Sequence, residues 1–495
     1  MESLLVDQED VVMRMVSWFE IGEVEALRLC SSRCFEAVGR ESVWREIVVM
    51  KFWGGDVESM KKCSPFDGKP CCPLNQGESN VKDAYVMSCP CSRLGFATSW
   101  RGAAARWCAL SRRLEKDRWC SAKIWVQVAT AWFLLEQKLK EQDSEASRGM
   151  LASLRPPATK ESLLRIEPRS LRYAYAVHDG QSLAFDEARD RRSSDGIRRA
   201  QKSIFHGIFG GFSAYDYVVA SRFAPSSAAL ATRTPSEGGN NVTFAWSFRK
   251  DRRFVVNDAD DRVEVYDVCG GGNDFQGPEF AAPRNASFGD WFFEYASRVS
   301  SNYYSFGLVV PDDAETESII LFKNLVDGRD CSETVTQGVE CRASALYLPV
   351  HPHGFVYSIR LNLAKDAPMD HCQLLTRRWI IFDHDAKDGQ KIKQVSGEGV
   401  VGKFPRLNRG GGWRDDFQVG ADVQRLGFAR AVRLGVERSG PFIYQSFSGP
   451  MANPDADNTF EGQMGFYPNE FLKPTGPPFQ VIVPPFLLKR PPFIF

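Results

Sequence analysis

Gly397-Glu398-Gly399-Val400-Val401-Gly402 satisfies the pattern G-x-G-x-x-G, the one phosphate-cradling arrangement in this 495-residue chain. A dinucleotide site needs the third glycine to open a helix whose N-terminus holds the pyrophosphate. Here Lys403-Phe404-Pro405 follows, and proline is incompatible with that helix. The runs on either side read as antiparallel strands. The expectation is a tight connection between strands that uses glycine's backbone freedom. A surface loop that binds an anion or a protein is the other reading.

Other residue groups are weaker candidates. Asp383-His384-Asp385 offers metal or acid–base ligands but stands just before Asp388-Gly389, a hairpin-turn signal, so a solvated turn is expected. His351-Pro352-His353 precedes a strand and reads as a connector. His178 closes a helix and is expected to meet its carbonyl ends. Cys63, Cys71, Cys72, Cys89 and Cys91 cluster, but not in the paired C-x₂₋₄-C spacing of zinc sites, and free thiols are expected. Arg189, Arg191, Arg192, Arg198, Arg199 and Lys202 are diluted by acidic residues and carry no interleaved aromatics for base stacking. No Ser–His–Asp, Cys–His or paired-carboxylate arrangement stands out, so neither a catalytic residue, a metal nor a cofactor is expected.

Composition agrees. Lysine plus arginine equals aspartate plus glutamate, 62 each, so nothing favours nucleic acid or a membrane surface as partner. No apolar run approaches the ~18 residues of a membrane span. The 13 cysteines without a visible secretory signal suit reduced thiols in cytoplasm and/or nucleus.

The elements that would position a binding surface change in character along the chain. From Glu9 to Trp53 three short helical patterns follow one another. Val11, Val12, Met15, Val16 and Phe19 share one face; Val24, Leu27, Cys30, Cys34 and Val38 another; Trp44, Ile47, Val48 and Phe52 a third. Some 45 residues is little for a self-sufficient core, so apolar surface is left for a partner. This order, ending in Val43-Trp44-Arg45-Glu46, resembles an F-box, the motif that docks onto the Skp-type adaptor of a cullin ubiquitin ligase. The resemblance implies adaptor contacts through Val12, Met15, Val16, Phe19, Leu27 and Trp44.

Residues 56–98, rich in Gly, Pro, Ser and Cys, read as an irregular linker. Residues 99–330 read as a helical lead-in followed by an α+β unit with a small sheet. Helices are expected from Ala131, from Thr159, through Leu171–Val177 and from Asp290, and strands at Thr243–Phe248, Arg253–Val256, Arg262–Tyr266 and Ile319–Phe322. The Trp132 helix, the His178-Asp179-Gly180-Gln181 ending and Phe209-Gly210-Gly211-Phe212-Ser213-Ala214-Tyr215-Asp216 together resemble a SUKH domain, an α+β partner-binding module.

Residues 331–495 read as an antiparallel β-sandwich. Phe355, Tyr357, Ile359, Leu361 and Leu363 alternate with Val356, Ser358, Arg360 and Asn362; Phe479, Val481 and Val483 repeat that period and are expected to stop at Pro484-Pro485. Gln373 to Ile381 and Val395 to Pro405 resemble the two signature segments of the ApaG domain, a fibronectin-type-III-like sandwich.

The fold class expected is therefore a multidomain α+β chain: a three-helix F-box (1–55), the linker, a SUKH-like α+β domain and an ApaG-like sandwich. The order implies a substrate-recognition subunit of a Skp–cullin–F-box ubiquitin ligase, itself non-catalytic. Its partners would be a Skp-type adaptor, the cullin scaffold and an unidentified protein target. The target or ligand surfaces expected are Phe209, Phe212 and Tyr215, and Trp379 with Gly397, Gly399 and Gly402. The alternative is a phosphate or nucleotide sensor acting through the sandwich.

Overall fold

A computed structural model describes residues 122–182, 202–215, 217–236, 239–248, 252–267, 278–311, 313–349, 351–386, 389–418, 437–470 and 473–495. The F-box-like span with Val12, Met15, Val16, Phe19, Leu27 and Trp44, the linker and the arginine-rich stretch 189–199 lie outside the described residues.

Helix α1 (Ala122–Gln142) buries Val128, Ala131, Trp132, Leu135 and Leu139 along one face, each at most 1% exposed. Short helices α2 (Glu145–Ser153), α3 (Lys160–Arg165) and α4 (Arg169–Val177) follow. Thr159 caps α3 by accepting from Ser162 N at 3.3 Å. After α5 (Ser226–Ala231) comes α6 (Phe288–Ser300), opened by a capping box. Asp290 N donates to Ser287 Oγ (3.3 Å) and Ser287 N to Asp290 Oδ2 (2.9 Å). Trp291, Phe292 and Tyr295 on α6 meet Trp132, Phe209, Phe244 and Phe254 in an aromatic core, with ring centroids 4.9–6.3 Å apart among these pairs.

That core lies on a sheet of β1 (Gly211–Ala214), β2 (Tyr217–Phe223), β3 (Thr234–Ser236), β4 (Gly239–Ser247), β5 (Arg252–Asn257), β6 (Val263–Asp267), β7 (Glu279–Phe280), β8 (Tyr304–Leu308) and β9 (Glu317–Lys323). Its order is β7-β6-β5-β4-β2-β1-β9-β8, with β3 on β4; β1 and β9 run parallel. The sheet is larger than the sequence suggests. All four residues of β1 are buried, so it shows none of the alternation that marks a half-buried strand.

Residues 331–495 form the sandwich. One sheet is β10 (Cys331–Thr336), β11 (Val339–Tyr347), β12 (Phe355–Leu363) and β17 (Phe442–Phe447) in that order. The other runs β16 (Trp413–Gln418), β15 (Lys403–Asn408), β13 (His371–Ala386), β18 (Asn458–Glu470), β19 (Lys473–Pro474), with β14 (Gly389–Glu398) on β13 and β20 (Phe479–Leu488) on β18. Phe355, Tyr357, Ile359, Leu361 and Leu363 are all buried, but so are Val356 and Ser358, so β12 is covered on both faces at its start and half-buried only towards its end. Pro484 and Pro485 do not end β20, which continues to Leu488. Among the described residues the strand pairs with β18 alone, and it shifts register between Phe460 and Gly462, the local irregularity that accommodates residues lacking an N–H.

Beyond β20 the chain crosses into the α+β core. Ile494 N donates to Ala281 O (2.9 Å), Trp291 Nε1 donates to Ile494 O (2.7 Å), and the Phe495 ring sits 5.2 Å from both Trp291 and Tyr295. Ile494 and Phe495 are each 3% exposed.

Candidate functional site

The G-x-G-x-x-G segment joins β14 to β15, which follow one another along the same edge of β13, both antiparallel to it. Val400 N and Lys403 N each donate to the other's carbonyl oxygen at 2.9 Å, closing a two-residue hairpin. Its central residues, Val401 (φ 49°) and Gly402 (φ 72°), are both left-handed, the geometry of a type I′ turn. Gly399, at φ 55°, donates its N–H to Leu375 O (2.7 Å), and a Cβ there would lie 2.5 Å from Lys403 O. Gly397 packs beneath Arg377, whose guanidinium would be 3.2 Å from an added Cβ.

This is the wrong polarity for an anion. The N–H groups of Gly399, Val400 and Lys403 serve the sheet connection. The loop instead turns carbonyls inward, and Arg377 Nη1 donates to Glu398 O (3.0 Å) and Gly399 O (2.5 Å). The loop thus supplies the guanidinium with carbonyl acceptors. Trp379, expected at the same surface, is 2% exposed. It lies over Gly462, its cross-strand partner, and packs at 5.5 Å from Phe460 and 6.2 Å from Tyr444. It is a core residue: an indole on an inward-facing strand position has more apolar area to bury than any neighbour.

The second expected surface divides likewise. Phe209 (1% exposed) and Phe212 (0%) are core residues, because the strand entering β1 is covered on both faces. Tyr215 is the exposed member, at 46%, with φ 54°. Its hydroxyl lies 2.7 Å from Ser446 Oγ and its ring 5.7 Å from Phe447, both on β17. Ser213 Oγ lies 3.0 Å from Gln445 Oε1 on the same strand. Burial raises the Tyr215 phenol's pKa, while Ser446 and the nearby Arg377 pull it down. Tyr215 and the glycine turn therefore belong to one region, the seam between the two folded units, with Arg377 between them. Arg377 lies in the Gln373–Ile381 segment, two positions before Trp379, and its sequence context alone assigns it no role.

Histidines flank this seam. His351 stacks on Phe447 at 5.3 Å and sits 5.2 Å from Tyr217; His353 is 4.7 Å from Phe447. Burial drives the His351 pKa down to about 4, aided by His353 and Arg252, so its imidazole is neutral at pH 7. A cleft of about 300 Å³ opens beside it, walled by Tyr347, His351, Pro352, Pro450, Met451 and Pro454. Glu279 supplies its carboxylate, and Oε1 accepts from Tyr347 OH (2.7 Å) and from Arg490, 3.0 Å away. With its acid engaged and its walls apolar, the cleft suits an apolar side chain.

His178-Asp179-Gly180-Gln181 is a structural staple. His178 Nε2 lies 2.9 Å from Glu136 Oε1 and Nδ1 lies 3.0 Å from Arg155 O, not on the carbonyls ending α4. Gln181, fully buried, donates to Ser153 Oγ and His206 O and accepts from Ile208 N and Phe223 N at 2.7–3.2 Å. Asp383 is also buried, 3% exposed, and accepts from Ala452 N at 3.0 Å, so it is part of β13 and not of a solvated turn. Among the described residues no group of three or more His, Cys, Asp or Glu is placed to hold a metal ion, and no helix is long and apolar enough to cross a membrane.

Residues 350–418, from β12 to β16, match the family model described as the ApaG domain. The chain is 27% identical over 219 residues to "F-box protein SKIP16" of Arabidopsis thaliana, a match covering 41% of each chain. It is 34% identical over 132 residues to "F-box only protein 3" of Homo sapiens and of Bos taurus, covering 25% of each chain. The chain thus matches less than half the length of each of these relatives. Among solved structures, the putative ApaA protein of Bordetella pertussis aligns with a TM-score of 0.21 at 21% identity, covering 33% of this chain and 97% of that one. The chain resembles F-box proteins, and its sandwich resembles the ApaG domain.

Proposed function

We propose that this chain is the substrate-recognition subunit of a Skp–cullin–F-box ubiquitin ligase. The observation that carries the reading is the joint occurrence of an F-box-like sequence pattern at Glu9–Trp53 with an ApaG-type sandwich downstream, in a chain similar to F-box proteins. Val12, Met15, Val16, Phe19, Leu27 and Trp44 anchor the Skp-type adaptor, and through it the cullin scaffold. The SUKH-like α+β unit and the sandwich hold the target at their seam, around Tyr215, Phe447 and the cleft beside His351. The work is positional. Tethering gives target lysines an effective concentration of ~mM near the charged conjugating enzyme for short linkers, and no side chain of this chain performs chemistry. The rival anion-sensor reading draws no support from a glycine turn whose carbonyls engage Arg377.

Co-expression with a Skp-type adaptor tests the reading. Met15→Asp combined with Phe19→Asp is expected to abolish adaptor co-purification while the downstream units keep their thermal transition. Undiminished co-purification refutes the assigned anchor.

A further inference from the structure

The residue after β9 gathers two arginines of the sandwich. Asn324 is fixed to the α+β unit by its N–H, which donates to Tyr303 O at 2.8 Å. Its Oδ1 accepts from Arg342 Nη1 (3.0 Å) on β11 and from Arg360 Nη1 (2.8 Å) on β12. The two arginines are cross-strand partners, so like charges face each other directly. Arg342 is neutralised: Glu333 Oε2 accepts from its Nε (3.1 Å) and Nη2 (2.8 Å). The other carboxylates near this face are engaged. Asp330 lies 2.8 Å from Lys323, and Glu340 Oε2 accepts from Asn362 Nδ2 at 2.8 Å. Burial pushes the Arg360 pKa down to about 10, with Arg342 adding to the effect and Cys331 opposing it.

Two polar atoms beside each other on this face stay unpaired. Arg360 Nη2 and Ser358 Oγ are both buried and, among the described residues, make no hydrogen bond. Ser358 is 1% exposed. The two residues stand two positions apart on β12 and therefore share a face of the sheet. Each unpaired buried donor carries a desolvation penalty, larger where the donor is charged. One acceptor with a single negative charge meets both donors and balances the cation. A water molecule would bring two hydrogens that need acceptors of their own and would leave the charge as it is. We propose that Arg360 and Ser358 hold a monovalent inorganic anion of the halide class, between guanidinium and hydroxyl, where Asn324 of the α+β unit meets the sandwich. The ion fastens the two units together. The site is separate from the glycine turn and does not depend on the ligase reading.

The test melts the full chain at constant ionic strength while sodium chloride replaces sodium gluconate. The melting temperature is expected to rise saturably with chloride, by about 2 °C. Arg360→Met should lose that response and, without chloride, melt no lower than the wild type, because no unpaired charge is then buried. Ser358→Ala should fold normally and need about tenfold more chloride for the same rise. Crystals soaked in bromide should show an anomalous peak between Arg360 and Ser358. Identical melting in the two salts, a chloride response kept by Arg360→Met, or that variant melting lower by the same margin in both salts overturns the proposal. So does a response to phosphate without one to chloride, or bromide bound only elsewhere.

Discussion

Arg252 and Asp267, cross-strand neighbours on β5 and β6, form an ion pair with both side chains fully buried, Nη2 to Oδ2 at 2.6 Å and Nε to Oδ2 at 3.1 Å. Tyr217 OH donates to the remaining carboxylate oxygen at 2.9 Å, and the guanidinium lies 5.0 Å from the Phe212 ring and 3.4 Å from Phe495 O. The pair thus links the sheet, the β1 segment and the crossing tail. Replacing Asp267 with alanine removes the carboxylate that balances a buried cation and should cost roughly 3–5 kcal/mol. Urea denaturation reads this directly. A double change to apolar residues of similar volume should restore much of the loss, and a loss under 1 kcal/mol for the single change would show that the guanidinium reaches water.

Asp261 makes stability depend on pH. Burial raises its carboxyl to about 6, opposed by hydrogen bonds from Ser170 and reinforced by Asp290 and Asp260. Ser170 Oγ donates to its Oδ2 at 2.5 Å at the start of α4. The unfolded carboxyl titrates near ~3.9. Between those values the folded state binds the proton more tightly, so this contribution to stability grows as pH falls from about 6 towards 4 and is absent above it. Asp261→Asn keeps an acceptor for Ser170 and suits the left-handed φ of 61°. It should stabilise the protein at pH 7 by about 1–3 kcal/mol and flatten its melting temperature between pH 4 and 6. A variant that follows the wild-type pH profile assigns that dependence to other groups.

Gly399→Val should damage the sandwich rather than a ligand site. The left-handed backbone and the approach to Lys403 O together cost on the order of 2–4 kcal/mol. Thermal melts of the variant should fall, and its near-ultraviolet signal from Trp379 should weaken. Unchanged stability would mean that the turn rearranges without loss.

Phe495→Ala should be felt beyond the sandwich that the tail leaves. Removing a buried phenyl ring costs ~3–5 kcal/mol, and the atoms it leaves are Trp291, Tyr295 and Tyr304, all in the α+β unit. The intact protein is expected to unfold in one transition. The variant should show the α+β unit melting first, by tryptophan fluorescence, ahead of the sandwich. A single transition shifted by less than a degree would deny the tail this role.

How much was legible in the sequence follows from the range of the interactions. The period of two in Phe355–Leu363 and the helical spacing around Trp132 are local, and both put the predicted faces inward. The glycine turn was legible as a connection because Pro405 denies it a helix. What was hidden was long-range. Gln181 is explained by Ser153, His206, Ile208 and Phe223, none adjacent to it in the chain. Phe209, Phe212 and Trp379 were read as surface because short motifs carry no record of what covers them. Tyr215 differs from Phe212 only in being three positions further on, where the strand ends.

The tail that fills the space beside Trp291 also imposes an order in time. Synthesis proceeds from one end, and domains ordinarily finish folding as they emerge. Here Phe288 to Val299 leave the ribosome almost two hundred residues before the ring that completes their packing. The earlier unit must wait, partly open, for the later one, and in that interval its unfilled aromatic hollow is where a chaperone would find it.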